Sequence, residues 1–109
     1  MSYIYHIADQ NAWEKAQKLG FYLGNERDQQ DGFIHMSLPA QVKATALKYY
    51  ANEPHLVLLK MKEASLNDYL KWEPNSKGVI FPHYHSKLHI KHIEAALPFS
   101  PQNFDYDSL

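Results

Sequence analysis

Three histidines, His6, His35 and His83, each stand inside or beside a strand-like segment and next to aromatic residues. Imidazole titrates near neutral pH, donates or accepts hydrogen bonds and ligates metals. Three of them meeting in one pocket would make a site for proton transfer or for gripping a ligand. The stretch "DGFIHMS" (31–37) shows the pattern best: in an extended chain Phe33, His35 and Ser37 share one face, and Ile34 and Met36 the other. A strand with one apolar and one polar face needs a reason for the polar one. The structural alternative is that each imidazole is satisfied by a backbone carbonyl.

Other chemistry is weighed against the same spacing rules. Residues i and i+2 of a strand lie roughly 7 Å apart, too far for His35 to act directly on Ser37, so a serine hydrolase is not expected. Ser37 precedes a helical pattern and is expected to cap it, or to help hold an anion there. In "LKWEP", Trp72 offers a stacking face and Glu73 a carboxylate able to steady a cation-like sugar, although a Trp on a short strand usually belongs to the core. His85, His89 and His92 are spaced four and three apart, but no acidic residue falls inside the cluster and it reads as a solvated, basic surface. No metal-ligand set is assigned. If a metal were held, His6, His35 and His83 would be the better set. The chain has no cysteine and no P-loop or dinucleotide glycine pattern.

The elements that must position these residues follow from periodicity. At 109 residues, 45% hydrophobic and 21% charged, the chain has the composition of one folded domain, expected over residues 1–98 with a loosely held tail at 99–109. A net charge of −1 gives no field for duplex nucleic acid. No stretch has the pattern of a signal peptide or a membrane span, so a cytoplasmic protein with no membrane partner is expected. "YIYHIA" (3–8) is a strand with Ile4 and His6 on one face and Tyr3, Tyr5 and Ile7 on the other. A helix with Trp13, Ala16 and Leu19 on its apolar stripe ends at Gly20. Residues 21–32 read as a loop or a short strand and turn, and a second helix follows Ser37, with Val42 and Ala46 on its stripe. "HLVLLKM" (55–61) is the central strand, Leu70–Glu73 a short one, and "VIFPHYHSKL" an edge, bend or loop because Pro82 cannot donate a ladder hydrogen bond. "HIEAALPF" (92–99) closes an α+β domain with two helices, both in the N-terminal half.

Taken together, "IYHI", the Trp- and Ala-bearing helix, "DGFIH" followed by Ser, "LVLL", "WEP" and "FPHY" resemble a small bacterial family, domain of unknown function 952, from about Ile4 to Pro98. That family is similar to the ADP-ribosyltransferase superfamily. The resemblance implies an ADP-ribosyltransferase-like split, strongly bent β core with a cleft for NAD or a related ribose-phosphate nucleotide. His6 matches the residue of the first core strand that contacts ribose or phosphate, and Phe33, His35 and Ser37 match the second motif. The third motif usually carries a catalytic Glu, and here "FPHY" offers His83 and Tyr84. The implied site has His6, His35 and His83 as catalytic residues and Tyr5, Phe33, Ser37, Tyr84, Trp72 and Glu73 as ligand-binding ones. The implied chemistry is transfer or hydrolysis at an N-glycosidic or 2′-phosphate centre. The alternatives are a metal-dependent hydrolase on the three histidines and a binding module without turnover.

Overall fold

Strand β1 (Tyr3–Asp9) alternates strictly: Ile4 and Ala8 enter one apolar cluster, while Tyr5 and Ile7 enter a second on the opposite face. Its antiparallel partner β4 (Leu56–Lys62) divides the same way, with Leu59 and Met61 joining Ile4, and Leu56 and Leu58 joining Tyr5. A strand buried on both faces reads as a continuous apolar run, which is why "LVLL" occupies the centre of the sheet. Each such side chain stabilises the fold by about 1.5–3 kcal/mol when fully buried. The other edge is β8 (Ile93–Phe99), giving the order β1-β4-β8 in a computed structural model that describes residues 2–109.

Two further sheets complete the mixed α+β domain, and all strand pairs are antiparallel. One is the short pair β2 (Phe21–Tyr22) and β7 (Leu88–His89). The other is three-stranded, with order β3-β6-β5, from β3 (Ile34–His35), β5 (Leu70–Pro74) and β6 (Ile80–Tyr84). It joins the large sheet at one place, where Tyr5 and Ser37 exchange backbone hydrogen bonds of 2.9 and 2.8 Å. Ser37 therefore bridges two sheets and does not cap a helix; the residue before the next helical turn is Leu38, whose N–H is held by Gln41.

Among the described residues three α-helices, not two, lie in the N-terminal half: α1 (Gln10–Leu19), α2 (Glu26–Asp31) and α3 (Val42–Tyr49). The unexpected one, α2, lies in the polar stretch read as loop. Asn25 and Asp28 close a reciprocal capping box at its start, supplying locally what an apolar stripe would otherwise supply. β6 is the middle strand of its sheet despite Pro82. Met36 N–H donates to the Pro82 carbonyl at 3.0 Å, so Pro82 presents its backbone toward the end of β3. There β3 is already leaving to meet Tyr5, and the missing N–H costs no bond to β5. The final residues are held, since Phe104, Tyr106 and Leu109 pack on the cluster around Tyr5 and Phe99. No helix among the described residues is long and apolar enough to cross a membrane.

Two glycines test this local geometry against each other. Gly20 and Gly24 both have left-handed φ, +85° and +94°, but a Cβ at Gly20 meets nothing within 4 Å while one at Gly24 falls 2.5 Å from the Asp28 Cβ. Gly20→Ala should cost the left-handed penalty alone, about 1–2 kcal/mol. Gly24→Ala should cost clearly more, because Asp28 has to move. Urea denaturation of the two variants measures the difference, and equal losses would refute the packing argument.

Candidate functional site

The side chains of the small sheet sort by register into two sets. Paired residues Lys71 and His83, Glu73 and Phe81, and His35 and His83 share one face, while Ile34, Tyr84, Pro82 and Trp72 share the other. The first face forms one wall of a cavity of about 530 Å³, lined there by Phe33, His35, Phe81 and His83. α3 supplies the facing wall: Val42 and Ala46 are buried in the core, and Ala44, Thr45, Lys48 and Tyr49 turn to the cavity. Arg27 from α2, Ser37, His6, and Asn75 and Ser76 of the β5–β6 turn complete it. That turn is fixed by the Asn75 side-chain oxygen, which accepts from the N–H groups of Lys77 and Val79, both at 2.9 Å.

His6, His35 and His83 therefore line the same cleft, with Phe33 and Ser37. Other expected residues lie elsewhere. Tyr5 is core, packed with Ile7 and Phe99, because it alternates away from His6. Tyr84 is core as well, one position out of phase with His83. Trp72 is neither core nor cleft: it shares the face of Pro82 and Tyr84, but on the edge strand β5 it lies beyond the core and is 43% exposed. Glu73 does not line the cavity but accepts hydrogen bonds at its rim from His83 Nδ1 at 2.9 Å and His85 Nε2 at 2.6 Å. His85 thus has an acidic partner that lies across the sheet, so it is not simply part of a solvated basic surface.

The three histidines differ in what their nitrogens can do. His6 is fully enclosed; its Nδ1 meets the His35 carbonyl and its Nε2 lies 2.7 Å from the Tyr22 hydroxyl. It is committed on both sides, so His6, His35 and His83 do not form a metal-ligand set. The carbonyl only accepts, which fixes the proton of neutral His6 on Nδ1 and leaves Nε2 to accept from Tyr22. Tyr22 has a second acceptor, Asn25 Oδ1 at 3.0 Å, to which its hydroxyl turns when His6 is protonated. His35 faces two carboxylates, Asp28 Oδ1 at 2.6 Å from Nδ1 and Asp31 Oδ2 at 3.0 Å from Nε2. Both contacts are hydrogen bonds together only in the imidazolium. His83 uses Nδ1 on Glu73, so Nε2 is the nitrogen left to meet a ligand.

These surroundings move the titrations. Burial lowers His6 below its ordinary value of 6.5, against the opposing pull of Asp28. Burial alone would raise Asp28, but His6 and the hydrogen bonds from the His35 ring, the His35 amide and the Asn25 amide outweigh it and hold the carboxyl below 3.8. Burial raises Tyr22 well above 10, with Asp28 adding to it, so this hydroxyl stays protonated. Burial lowers His83 despite Glu73, and Glu73 is itself lowered by its bonds from His85 and His83. Sequence reasoning missed Tyr22, Asn25 and Asp28 as parts of this network and Arg27 and Lys48 as part of the lining. The pattern Asn-x-x-Asp at 25–28 is the signal that marks the first pair.

An antiparallel α+β domain with a histidine-bearing cleft between its sheets and a helix is the class to which fold and site assign the molecule. The chain belongs to the family described as protein of unknown function DUF952, whose model matches residues 7–96. It is similar to the crystal structure of protein CC0527 from Caulobacter crescentus, with a TM-score of 0.82 and 34% identity over 87% of this chain and 83% of that one. The solution structure of the same bacterial protein aligns with a TM-score of 0.81 and 33% identity over 92% and 86%. No curated protein matches the chain.

The lowered titration of His6 has a sign. The unfolded chain binds a proton to this residue below pH 6.5 while the folded one resists, so stability is full above 6.5 and falls as pH drops toward the folded value. His6→Gln should flatten the fall in thermal midpoint below pH 6.5, where the wild-type residue contributes up to about 1.4 kcal/mol per pH unit. The groups facing the ring, Asp28, His35, Asp9 and Tyr22, are unchanged in the variant. Identical slopes in the two proteins would show that His6 is not buried in its neutral form.

Proposed function

We propose that this chain is an ADP-ribosyltransferase-like domain whose cleft binds NAD or a related ribose-phosphate nucleotide. The observation that carries the reading is the charge of the lining: it includes Arg27, Lys48 and three imidazoles, and no Asp or Glu among the described residues. Arg27 and Lys48 lie over the Tyr49 ring at 4.0 and 5.0 Å, and neither forms an ion pair with a carboxylate among the described residues. Two cations stacked on an aromatic face and free of acidic partners suit an anionic ligand. Opposite them, Phe33, Phe81 and His83 offer ring faces for a base or a nicotinamide. The cavity volume falls within the usual range for small-molecule sites.

In this reading phosphate rests on Arg27 and Lys48, the ribose hydroxyls reach Ser37 and His83 Nε2, and His6 acts by fixing the His35 backbone. The same acid-free lining favours binding over glycosidic transfer, because no carboxylate sits where an oxocarbenium ion would form. A titration followed by NMR, with NAD, ADP-ribose, AMP and the uncharged nucleoside adenosine, separates these terms. Phosphate-bearing ligands should shift residues of the cleft, and adenosine should bind more weakly. Arg27→Ala should weaken AMP by about tenfold or more, since a hydrogen bond to a charged group contributes about 1.5–3 kcal/mol. No shifts at Phe33, His35 and His83 at millimolar ligand would sink the proposal.

A further inference from the structure

The rim of the cleft carries an arrangement that shares only His83 with the nucleotide reading, and through its other nitrogen, Nδ1. Glu73, His83 and His85 bring three ligand atoms, a carboxylate oxygen and two imidazole nitrogens, to within 4.8 Å of one another. The register explains how. Glu73 stands diagonally across the β5–β6 ladder from His83, and His85 continues the same face two residues on, held in line by its N–H bond to the Tyr69 carbonyl at 2.9 Å. His83 is nearer and reaches the carboxylate with Nδ1, whereas His85 is further and reaches it with Nε2. Both rings end on the same oxygen, Oε1. Phe33 stacks on both, with centroids 4.1 Å from His83 at 28° and 5.2 Å from His85 at 29°, so an apolar plate fixes the two imidazoles on one side.

We propose that Glu73, His83 and His85 bind a divalent transition-metal ion, with zinc the best match. Two imidazoles and one carboxylate form an N,N,O set of the kind that leaves zinc an open coordination position. Tetrahedral bonds of about 2.0–2.2 Å place neighbouring ligand atoms about 3.3 Å apart. The observed 2.9 and 2.6 Å then require His83 to withdraw by about 0.4 Å and His85 by about 0.7 Å, each ring carrying its proton on the other nitrogen once the ion is bound. The Glu73 side chain is 38% exposed and that of His85 26%, so the open position faces solvent where the rim meets the cleft. Magnesium and calcium, which prefer oxygen ligands, do not fit this set. The site does not depend on the nucleotide reading, since Arg27 and Lys48 take no part in it.

Calorimetric titration of tag-free, chelator-treated protein with zinc, in the absence of any nucleotide, tests this directly, and cobalt substitution adds a visible ligand-field spectrum. One equivalent should bind. Glu73→Gln and His85→Ala should each weaken it by at least about tenfold, the loss that removing even an indirect partner of a metal ligand produces. His92→Ala, at a histidine that packs on His89 and lies outside the cluster, should leave it unchanged. Both ligand positions are partly exposed, and a retained thermal midpoint in these variants separates loss of metal from loss of fold. The proposal is overturned by wild-type protein that takes up no stoichiometric zinc, or by zinc binding that survives both ligand substitutions or is lost with His92→Ala. Nucleotide titration of the same variants keeps the two readings apart: Arg27→Ala should retain zinc.

Discussion

The carboxylate of Asp28 is the constraint on which the site depends. It is 3% exposed, yet both oxygens are occupied: Oδ1 accepts from the His35 amide and ring, and Oδ2 from the Asn25 amide with His6 Nε2 at 3.5 Å. A buried carboxylate is tolerated only when its hydrogen bonds replace its lost hydration. Here they do so by tying α2, β3 and β1 to one point. Asn25, held by Asp28, in turn accepts from the Asp9 amide and donates to the Ile7 carbonyl. One side chain therefore sets where the first strand ends, where α2 begins and where His35 stands in the cleft wall. The price is local rigidity, visible at Gly24, whose chain passes too close to Asp28 to admit a Cβ.

Around that point the molecule separates apolar and polar surfaces by strand alternation. β6 is the clearest case. Pro82 and Tyr84 complete the core while Phe81 and His83 face the cleft, so a slip of one residue would exchange them. The register is held from both sides, by β5 and by the short β3, and beyond β3 by the bond from Met36 to Pro82. The Tyr5–Ser37 bridge then sets the angle between the two sheets, and the cleft is the space that this angle leaves beneath α3.

The sequence makes the large sheet legible and most of the site's framework illegible. β1 and β4 declare themselves because burial on both faces forces a run of apolar residues, Ile4 to Ala8 broken only by His6 and Leu56 to Leu59 unbroken. Phe33, His35 and Ser37 could be placed together because alternation over a short strand is a local rule. Tyr84 could not, since choosing its face requires knowing where β6 lies in the sheet, and Pro82 argued against the middle. Trp72 misleads for a related reason: its type implies burial, but an edge strand lacking a covering layer leaves it in water. Glu73 and His85 are twelve residues apart and meet only because the β5–β6 hairpin folds them onto one face. Arg27, Asn25 and Asp28 lie in a stretch of polar residues whose order comes from hydrogen bonds, and composition carries no trace of those beyond the capping pattern.

Burial divides the work among the histidines. His6 is enclosed, neutral at pH 7 and bonded at both nitrogens, so it can only hold its neighbours. His35 has both ring nitrogens engaged by carboxylates, Asp28 and Asp31, so it forms a fixed part of the cleft wall and leaves neither nitrogen for a ligand. His83, anchored through Nδ1 and stacked on Phe33, is the one that combines a fixed orientation with a nitrogen available to a ligand. An imidazole serves best at a site when its position is determined by one nitrogen and its chemistry left to the other. That condition selects His83 from the three and places whatever chemistry the cleft performs at its β6 wall, between the cationic α3 side and the carboxylate at the rim.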